Sequence, residues 1–438
     1  MMAEQTPVKI ALWGHGMFGK RTSESMKRFW GGAYAVTRIY DIEKRGRDPW
    51  WELEVSAPDD ISADFHAGVF EKVLICIHDR ITRNKVKKNL DKIGVPWFFP
   101  GKKEDIVPAG QLEKSAEDPL CVREDGYSLF CLKNMRGAVS DHDRGELIHL
   151  FDEEGRIPEE SVRKYRSWEA DRALMPPFRL KHAIPERVKL EGPYCVLAEV
   201  YSMNYWHFTF QCADRVALLE DAGYRGKYII AGRPSNLALM RLLGVGDDRI
   251  VKCEDLENHK VYEFEELVLL SFNGHNHDHS LEAVARVAER VKKQLVRRDD
   301  APKKLYVKRI GARKLVNGDE AAKSLGFEIY VPEEHSVKEQ MEAFYNADVV
   351  LTSHGANSTN CIYMRKGAVF AEVFSSAWSN CINRDICEYQ GIHYLSETGE
   401  PVIEPTDHEE AIFTDFAVGE EKIKRMVKRA EDLLCLKE

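Results

Sequence analysis

The sequence predicts an α/β protein in which parallel strands alternate with helices. Two stretches carry this prediction. The apolar run Val8 to Trp13 leads directly into Gly14-His15-Gly16-Met17-Phe18-Gly19, and the stretch Asp348 to Phe374 places a polar turn between two apolar, β-branched runs. A chain of 438 residues also exceeds the size that one hydrophobic core supports, about 250 to 300 residues. We therefore expect two or three domains of this class.

Composition excludes several classes of protein. The net charge is −9 with both signs interspersed, so we expect no binding surface for nucleic acid or anionic lipid. The ten cysteines include no close Cys-x-x-Cys pair, which predicts reduced thiols in a cytoplasmic protein. No run approaches the ~20 apolar residues of a transmembrane helix, and residues 1–9 lack an apolar signal region. We expect a soluble protein that contacts membranes only peripherally, if at all.

Residues 1–101 predict a small Rossmann-like module. A second strand, Tyr34 to Tyr40, ends at Asp41, roughly 20 residues after the last glycine, as a dinucleotide-binding unit requires. On this interpretation Gly14, Gly16 and Gly19 let a nucleotide or NAD pyrophosphate approach the backbone, and Asp41 binds a ribose hydroxyl. The alternative is that the glycines serve a tight turn and helix packing while the cleft stays empty.

Residues 102–188 are expected to be a connector of loops and short helices, and order returns with a strand from Tyr194 to Tyr201. Asn204, Tyr205, Trp206 and His207 follow it. Aromatic faces at a strand end can line a sugar site, whereas the alternative is an aromatic core cluster at a helix start.

The rest of the middle region, to residue 297, predicts one nucleotide-fold lobe. Strands are expected at 227–231, 249–253 and 266–271, with helices at 236–243 and 281–296. The loop from Asn273 to His279 carries three histidines and an aspartate. We expect a solvated turn or an acceptor contact there rather than a metal site, because no distant fourth ligand is evident.

Residues 298–438 predict a second lobe. A strand over 304–307 leads into Lys308, Arg309 and Arg313, and a capping box at Ser336 opens a helix. After the strand at 349–351, the polar turn 353–360 should be followed by a helix over 361–365, capped by Asn357 or Ser358. Phosphate binds at such helix N-termini.

These residues resemble the family 61 glycosyltransferases over roughly a third of the chain. The resemblance rests on the following residues in order: Leu305-Tyr306-Val307-Lys308-Arg309, Arg313, Asn317, Gly326-Phe327, Gln340, Ala347, His354-Gly355-Ala356, Thr359-Asn360, Gly367 and Glu372. Asn204, Tyr205, His207 and Arg215 align with a further Asn-Tyr-x-His-Phe pattern of that family.

The sequence departs from the family pattern at several positions. Lys308 replaces a serine, Gly318 replaces a glutamate, and Asn357-Ser358 replace Gly-Leu in the turn. Gln211 stands where the family often has an aspartate. If that aspartate is the base, the role passes to His207 or Asp214.

The resemblance implies a GT-B fold, in which two facing Rossmann-like lobes (189–297 and 298–438) follow the amino-terminal module. It implies inverting, metal-independent sugar transfer from a nucleotide-sugar donor to a glycan or lipid-linked acceptor, in bacterial capsule or lipopolysaccharide synthesis, with no cofactor required. The catalytic candidates are His207 and Asp214, and the acceptor candidates are Asn204, Tyr205 and Trp206. The donor candidates are Arg309, Arg313, His354, Gly355, Ala356, Thr359, Asn360 and Glu372. His354 has an alternative role, in which it fixes the turn through a backbone hydrogen bond.

Two other functions remain open at this point. One is an NAD-dependent oxidoreductase or epimerase that uses the amino-terminal module. The other is a non-catalytic nucleotide-sugar-binding protein, which Gln211 and Gly318 suggest.

Overall fold

The structure is a computed structural model, and it describes residues 6–16, 19–20, 22–23, 26–27, 34–77, 80–98, 106–115, 127–140, 147–161, 187–199, 201–257, 260–271, 280–380 and 382–435. Within these ranges the protein is a mixed α/β structure with three large sheets, each rich in parallel pairs. The loop 273–279, which the sequence analysis weighed as a metal or acceptor site, lies outside the described residues.

The amino-terminal sheet has six strands in the order β3-β4-β2-β1-β5-β6. All neighbours pair in parallel except β3 with β4. The first two strands have the predicted bounds. The strands are β1 (Val8–Trp13), β2 (Tyr34–Tyr40), β3 (Gly46–Arg47), β4 (Glu54–Ser56), β5 (Lys72–Ile75) and β6 (Trp97–Phe98), and the helices are α1 (Ile61–His66) and α2 (Arg80–Lys92).

The middle sheet has seven strands in the order β10-β9-β15-β12-β13-β14, with β8 also paired to β15. A separate two-stranded sheet pairs β7 with β11. The strands of this region are β7 (Ile106–Val107), β8 (Leu129–Leu132), β9 (Met135–Ser140), β10 (Leu147–Phe151), β11 (Ile157–Pro158), β12 (Arg187–Val196), β13 (Lys227–Ile230), β14 (Ile250–Lys252) and β15 (Val261–Leu270). The helices are α3 (Tyr205–Gln211), α4 (Ala213–Asp221), α5 (Pro234–Leu242) and α6 (Leu281–Lys292).

The predicted connector contributes to this middle sheet. Strands β8, β9 and β10 all lie within residues 102–188, and β8 and β9 pair antiparallel with β15. The boundary at 188 is therefore too late for the unit that the sheet defines. β8 and β9 are only four and six residues long, and their buried residues do not alternate with exposed ones, so the sequence carries no period-two signal there.

The carboxyl-terminal sheet has the order β17-β16-β18-β19-β20-β21, parallel except for β21. Its strands are β16 (Lys304–Val307), β17 (Glu328–Tyr330), β18 (Val349–Ser353), β19 (Val369–Ser375), β20 (His393–Pro401) and β21 (Phe416–Ala417). Its helices are α7 (Gly318–Ser324), α8 (Val337–Asn346), α9 (Ile382–Tyr389), α10 (His408–Phe413) and α11 (Glu420–Cys435). The capping box predicted at Ser336 is present, with Glu339 as its partner.

One local prediction for this unit is wrong. The helix after β18 is a 3-10 helix, Ala356–Tyr363, which begins directly after Gly355 and contains Asn357 and Ser358 rather than being capped by them. The last helix, α11, packs Ile423, Met426 and Val427 against Val369 and Leu395 of its own sheet.

One hydrophobic core spans the middle and carboxyl-terminal units. It includes Val216 of α4 and Val287 of α6 from the first unit, and Phe344 of α8 and Ile362 of the 3-10 helix from the second. A second core joins the amino-terminal sheet to the middle sheet, because Ile10 and Leu12 share it with Val261. The 3-10 helix after β18 therefore lies where the middle and carboxyl-terminal units meet.

Candidate functional site

The site is built around the turn that follows β18. Its backbone runs through His354 and Gly355 into the 3-10 helix, where Gly355 N–H donates to Ser358 Oγ (3.2 Å) and Ser358 N–H donates to Gly355 O (3.0 Å). The N–H groups of Ala356 and Asn357 open the helix and so have no acceptor within it. They are available at the carboxyl end of a central strand.

Arg309 lies against this turn. Its Nε donates to the carbonyl of Ala312, and its Nη1 lies 3.5 Å from the carbonyl oxygen of His354. A Cβ built on Gly355 would lie 1.5 Å from that Nη1. Gly355 therefore leaves room for the close approach of the guanidinium. Its φ of 176° is extended backbone that any residue adopts, so the conformation itself does not call for glycine.

Arg313 lies beside Arg309 and is partly buried. Its guanidinium stands 5.3 Å from the ring centre of Trp378, and its Nε is buried without a hydrogen-bond partner among the described residues. Burial, together with the neighbouring charge of Arg309, lowers the pKa of Arg313 to about 10, although the attraction of Glu372 opposes the shift. Burial also lowers the pKa of Arg309. Across the described ranges neither guanidinium forms an ion pair, so the two charges favour an anionic ligand.

His354 and Glu372 form a buried pair behind this turn. His354 Nδ1 lies 2.6 Å from Glu372 Oε1, and the glutamate has no exposed surface. Asn383 Nδ2 and Tyr394 OH donate to the same carboxylate, both at 2.9 Å. The carboxylate therefore has three protein donors.

The second nitrogen of His354 faces a different group. Asn380 Nδ2 lies 3.3 Å from His354 Nε2, and Trp378 packs against the imidazole ring. Sequence reasoning missed Asn380, Asn383 and Tyr394, because they lie on a separate helix, strand and loop and no motif marks them. The alternative role of His354, in which it fixes the turn through a backbone hydrogen bond, has one supporting contact. The N–H of His354 donates to Val373 O (3.0 Å).

The middle unit contributes the residues at the start of α3. Asn204 is the helix N-cap, and its Oδ1 accepts from the N–H groups of Trp206 (2.9 Å) and His207 (3.4 Å). Tyr205 OH donates to Asn360 Oδ1 (2.8 Å) and so links α3 to the 3-10 helix. Trp206 is only 8% exposed and stacks on Phe210. The environment of Trp206 therefore agrees with the alternative interpretation of this segment, an aromatic core cluster at a helix start.

His207 is held in one orientation by its neighbours. Its Nδ1 lies 2.8 Å from Gln211 Oε1, and its ring stacks on Tyr201 with ring centres 5.0 Å apart. Tyr201 has a φ of 67°, an uncommon value for a bulky residue. Since an amide oxygen only accepts, Nδ1 carries the proton and Nε2 of a neutral His207 carries the lone pair.

Asp214 lies near the start of α4, the helix that follows α3, and is buried. It is 3% exposed, Tyr127 OH donates to its Oδ2 (2.5 Å), and Arg215 N–H donates to its Oδ1 (2.7 Å). Burial raises the pKa of Asp214 to about 6, although Arg215 opposes the shift. The neighbouring Arg215 forms a buried ion pair with Glu199 (2.7 Å). These contacts leave Asp214 little access to an acceptor.

Two glycines of the amino-terminal loop, Gly14 and Gly19, lie in close contact with other backbone groups. A Cβ on Gly14, whose φ is 110°, would lie 2.6 Å from Cys76 O, and one on Gly19 would lie 1.8 Å from Gly14 O, whereas Gly16 faces open space. Asp41 Oδ2 accepts from His15 N–H (2.6 Å). Burial alone would raise the pKa of Asp41, but this donor and two more backbone N–H groups lower it overall. The carboxylate expected at a ribose is thus bonded to its own chain.

The family departures also have local partners. Lys308 Nζ pairs with Asp319 Oδ2 (2.6 Å) instead of facing the arginines. A Cβ on Gly318 would lie 1.9 Å from Tyr306 OH, so Tyr306 fills the space of a side chain at that position. Asn317 donates to the carbonyl of Val418 and has a structural role.

Residues 205–371 match the family model described as Glycosyltransferase 61. The match begins at Tyr205 and ends one residue before Glu372, so it spans the cationic turn and the start of α3. It supports a glycosyltransferase, which implies a nucleotide-sugar donor and a glycan acceptor. The search of curated proteins returned no match.

The glycosyltransferase 61 match covers neither the amino-terminal sheet nor the strands β8 to β10. No helix in the described part of the chain is both long and apolar enough to cross a membrane. Eight cysteines, among the residues that the structure places, are free thiols.

Proposed function

We propose that this chain is an inverting, metal-independent glycosyltransferase of GT-B architecture, and that it acts in the cytoplasm in bacterial surface polysaccharide synthesis. The observation that carries the proposal is the arginine pair at the turn after β18. Arg309 and Arg313 are partly buried and lack carboxylate partners in the described structure, and Arg313 Nε has no hydrogen-bond acceptor there. A nucleoside diphosphate would supply the missing negative charge.

The leaving diphosphate is the part of the donor that this turn suits. When the bond between the anomeric carbon and the diphosphate oxygen breaks, negative charge builds on that oxygen. The two guanidinium groups and the N–H groups of Ala356 and Asn357 would stabilise it without a metal ion. Thr359 and Asn360 lie within the same 3-10 helix, and Asn360 is already bonded to Tyr205.

We assign the general base to His207. The acceptor hydroxyl attacks the anomeric carbon from the face opposite the diphosphate, which inverts the configuration, and its proton passes to His207 Nε2. Gln211 holds the tautomer that this step needs. A neutral amide can orient an imidazole as a carboxylate does, so the loss of the family's aspartate is compatible with activity.

Glu372 takes a different role from the donor contact expected from the resemblance. Its carboxylate is fully buried and shared by three protein donors, so we assign it to positioning His354. His354 would then present Nε2 toward the donor side of the site. Asn204 and Trp206 support α3, and Tyr205 links it to the donor turn.

A thermal-shift screen tests the proposal. Wild-type protein is screened with UDP, GDP, CDP, CMP, NAD and NADP, together with Arg309→Ala, Gly16→Asp and the control Arg298→Ala, which removes an exposed charge from the same unit. A ligand at 100 times its Kd adds about 2.7 kcal/mol to stability. We expect a nucleoside-diphosphate shift that only Arg309→Ala abolishes.

Two outcomes would overturn the proposal. A shift by NAD or NADP alone, lost only in Gly16→Asp, would move the function to the amino-terminal module. Full transfer activity of Arg309→Ala on a confirmed donor would show that the site is misplaced. Activity in the presence of EDTA and the anomeric configuration of the product, read by NMR, test metal independence and inversion.

A further inference from the structure

A polar groove of about 740 Å³ lies between α9, β20 and α11 in the carboxyl-terminal unit. This volume is within the range of about 300 to 1,000 Å³ that is typical of ligand pockets. Its lining combines carboxylates, guanidinium groups, hydroxyls and an amide with the aromatic rings of Phe374 and Tyr394. Such a mixture of donors, acceptors and ring faces suits a polyhydroxylated ligand.

One end of the groove is in direct contact with the His354 pair. Asn380 lines the groove and lies 3.3 Å from His354 Nε2 through its Nδ2. Tyr394 lines it too and donates to Glu372. The groove is therefore one hydrogen bond away from the proposed donor site.

Two arginines on α11 set the charge of the other side. Arg425 and Arg429 line the groove, are spaced four residues apart on one helix face, and have no ion pair among the described residues. Lys424 and Lys428, which do not line it, pair with Glu420 (2.7 Å) and Asp432 (3.2 Å). Like charges at this spacing destabilise a helix, and the two arginines of α11 that line the groove have no carboxylate partner among the described residues.

Carboxylates also face the groove. Glu388 and Glu397 line it without forming an ion pair with either arginine in the described structure. Carboxylates at this position can accept from sugar hydroxyls, whereas they would repel the dense negative charge of a lipid surface. This combination favours an acidic glycan, whose carboxylates are separated by neutral hydroxyl groups.

We propose that the groove is an acceptor subsite for an acidic oligosaccharide. The carboxylate of a uronic-acid-type sugar binds Arg425 and Arg429, and the hydroxyls of neighbouring sugars bind Glu388, Glu397 and Asn380. The proposal rests on the proposed transferase function, because it concerns the substrate of that site. It names the chemical class of the acceptor.

Titration calorimetry with trigalacturonate, and with neutral maltotriose for comparison, tests the proposal. The variants are Arg425→Ala/Arg429→Ala and, as the matched control on the same helix, Lys428→Ala. We expect wild type and the control to bind trigalacturonate at least about tenfold more tightly than maltotriose, and the double variant to lose about tenfold or more in affinity. The UDP or GDP thermal shift should be unchanged in every variant, since none of these residues touches the arginine pair.

Three results would overturn the subsite. The first is no measurable binding of trigalacturonate at millimolar concentration. The second is an affinity of the double variant for trigalacturonate that equals that of wild type. The third is that Arg425 and Arg429 mediate binding to phosphatidylglycerol vesicles while trigalacturonate does not bind. Each can occur while the nucleotide shift persists, so failure of the subsite is distinguishable from failure of the transferase proposal. If no nucleoside diphosphate shifts the melting temperature of the wild-type protein, the transferase proposal itself fails.

Discussion

The guanidinium of Arg309 occupies the space that a side chain at position 355 would need. The distance of 1.5 Å between a Cβ on Gly355 and Arg309 Nη1 is far below any real contact. The atom that must give way is the end of a flexible side chain, so the fold can absorb a substitution by moving the arginine. What it loses is the arginine's position beside the donor turn.

Gly355→Ala should therefore weaken nucleotide binding more than it weakens the fold. We expect the melting temperature of the apoprotein to change little, and the affinity for the nucleoside diphosphate to fall about tenfold, as for a displaced charge-assisted contact. Thermal shift and calorimetry measure both. Gly311→Ala is the control, because no atom lies within 4 Å of a Cβ at that position. Unchanged affinity in Gly355→Ala would contradict the placement of the diphosphate.

Glu372→Gln should be destabilising as well as inactivating. The amide replaces one acceptor by a donor, so a buried partner among His354, Asn383 and Tyr394 loses its acceptor, at a cost of about 1–3 kcal/mol. Urea unfolding measures this loss, and transfer assays should show a reduced kcat. Tyr394→Phe removes one donor and leaves the His354 contact intact, so its kcat should remain close to wild type. Equal kcat losses in both variants would argue against a positioning role for Glu372.

Gln211→Glu tests the assignment of His207 as base. A carboxylate in place of the amide, 2.8 Å from Nδ1, would favour the imidazolium and raise the pKa of His207. The acidic limb of the pH–rate profile should move up by about one pH unit. Gln211→Leu, which removes the acceptor without adding charge, should lower kcat and leave the limb nearer its original position. A profile that is identical in all three proteins would exclude His207 as the titrating base.

Asp214 gives a pH dependence of stability with a defined sign. Its pKa is about 6 in the fold, against an ordinary value of 3.8, because it is buried. The folded state therefore binds the Asp214 proton more tightly than the unfolded state does. The contribution of protonated Asp214 to the free energy of unfolding is complete below about pH 3.8 and is lost as the pH rises through about 6. The size is about 3 kcal/mol for a difference of about two pH units.

Asp214→Asn should remove this dependence. Relative to wild type, the variant should gain stability between about pH 4 and pH 6 in urea unfolding followed by circular dichroism, and the gain should level off above about pH 6. An equal effect of the substitution at pH 4 and pH 8 would mean that Asp214 does not titrate as described.

The strands of the donor side were predictable because each is a short apolar run that ends at a polar or glycine residue. The bounds of β16 agree with the prediction, and β18 begins at the predicted Val349. The cationic turn was predictable for the same reason, since Arg309, Arg313 and Gly355 follow strand ends that share one sheet edge.

Other features depended on contacts that no local pattern encodes. The partners of Glu372 come from α9 and β20, and the bond between His15 and Asp41 joins two separate turns. The sequence could not predict that the helix after Gly355 is a 3-10 helix, because the same small polar residues can also begin an α-helix. Tertiary contacts decided these cases.

The hydrophobic core shared by the middle and carboxyl-terminal units has a thermodynamic consequence. Two domains that met only across a wet cleft would melt separately, whereas α4, α6, α8 and the 3-10 helix bury their apolar faces together. The two units should therefore lose their structure in a single cooperative transition. A nucleotide bound to one would delay the unfolding of both, and a cavity made in either would be felt by the whole pair.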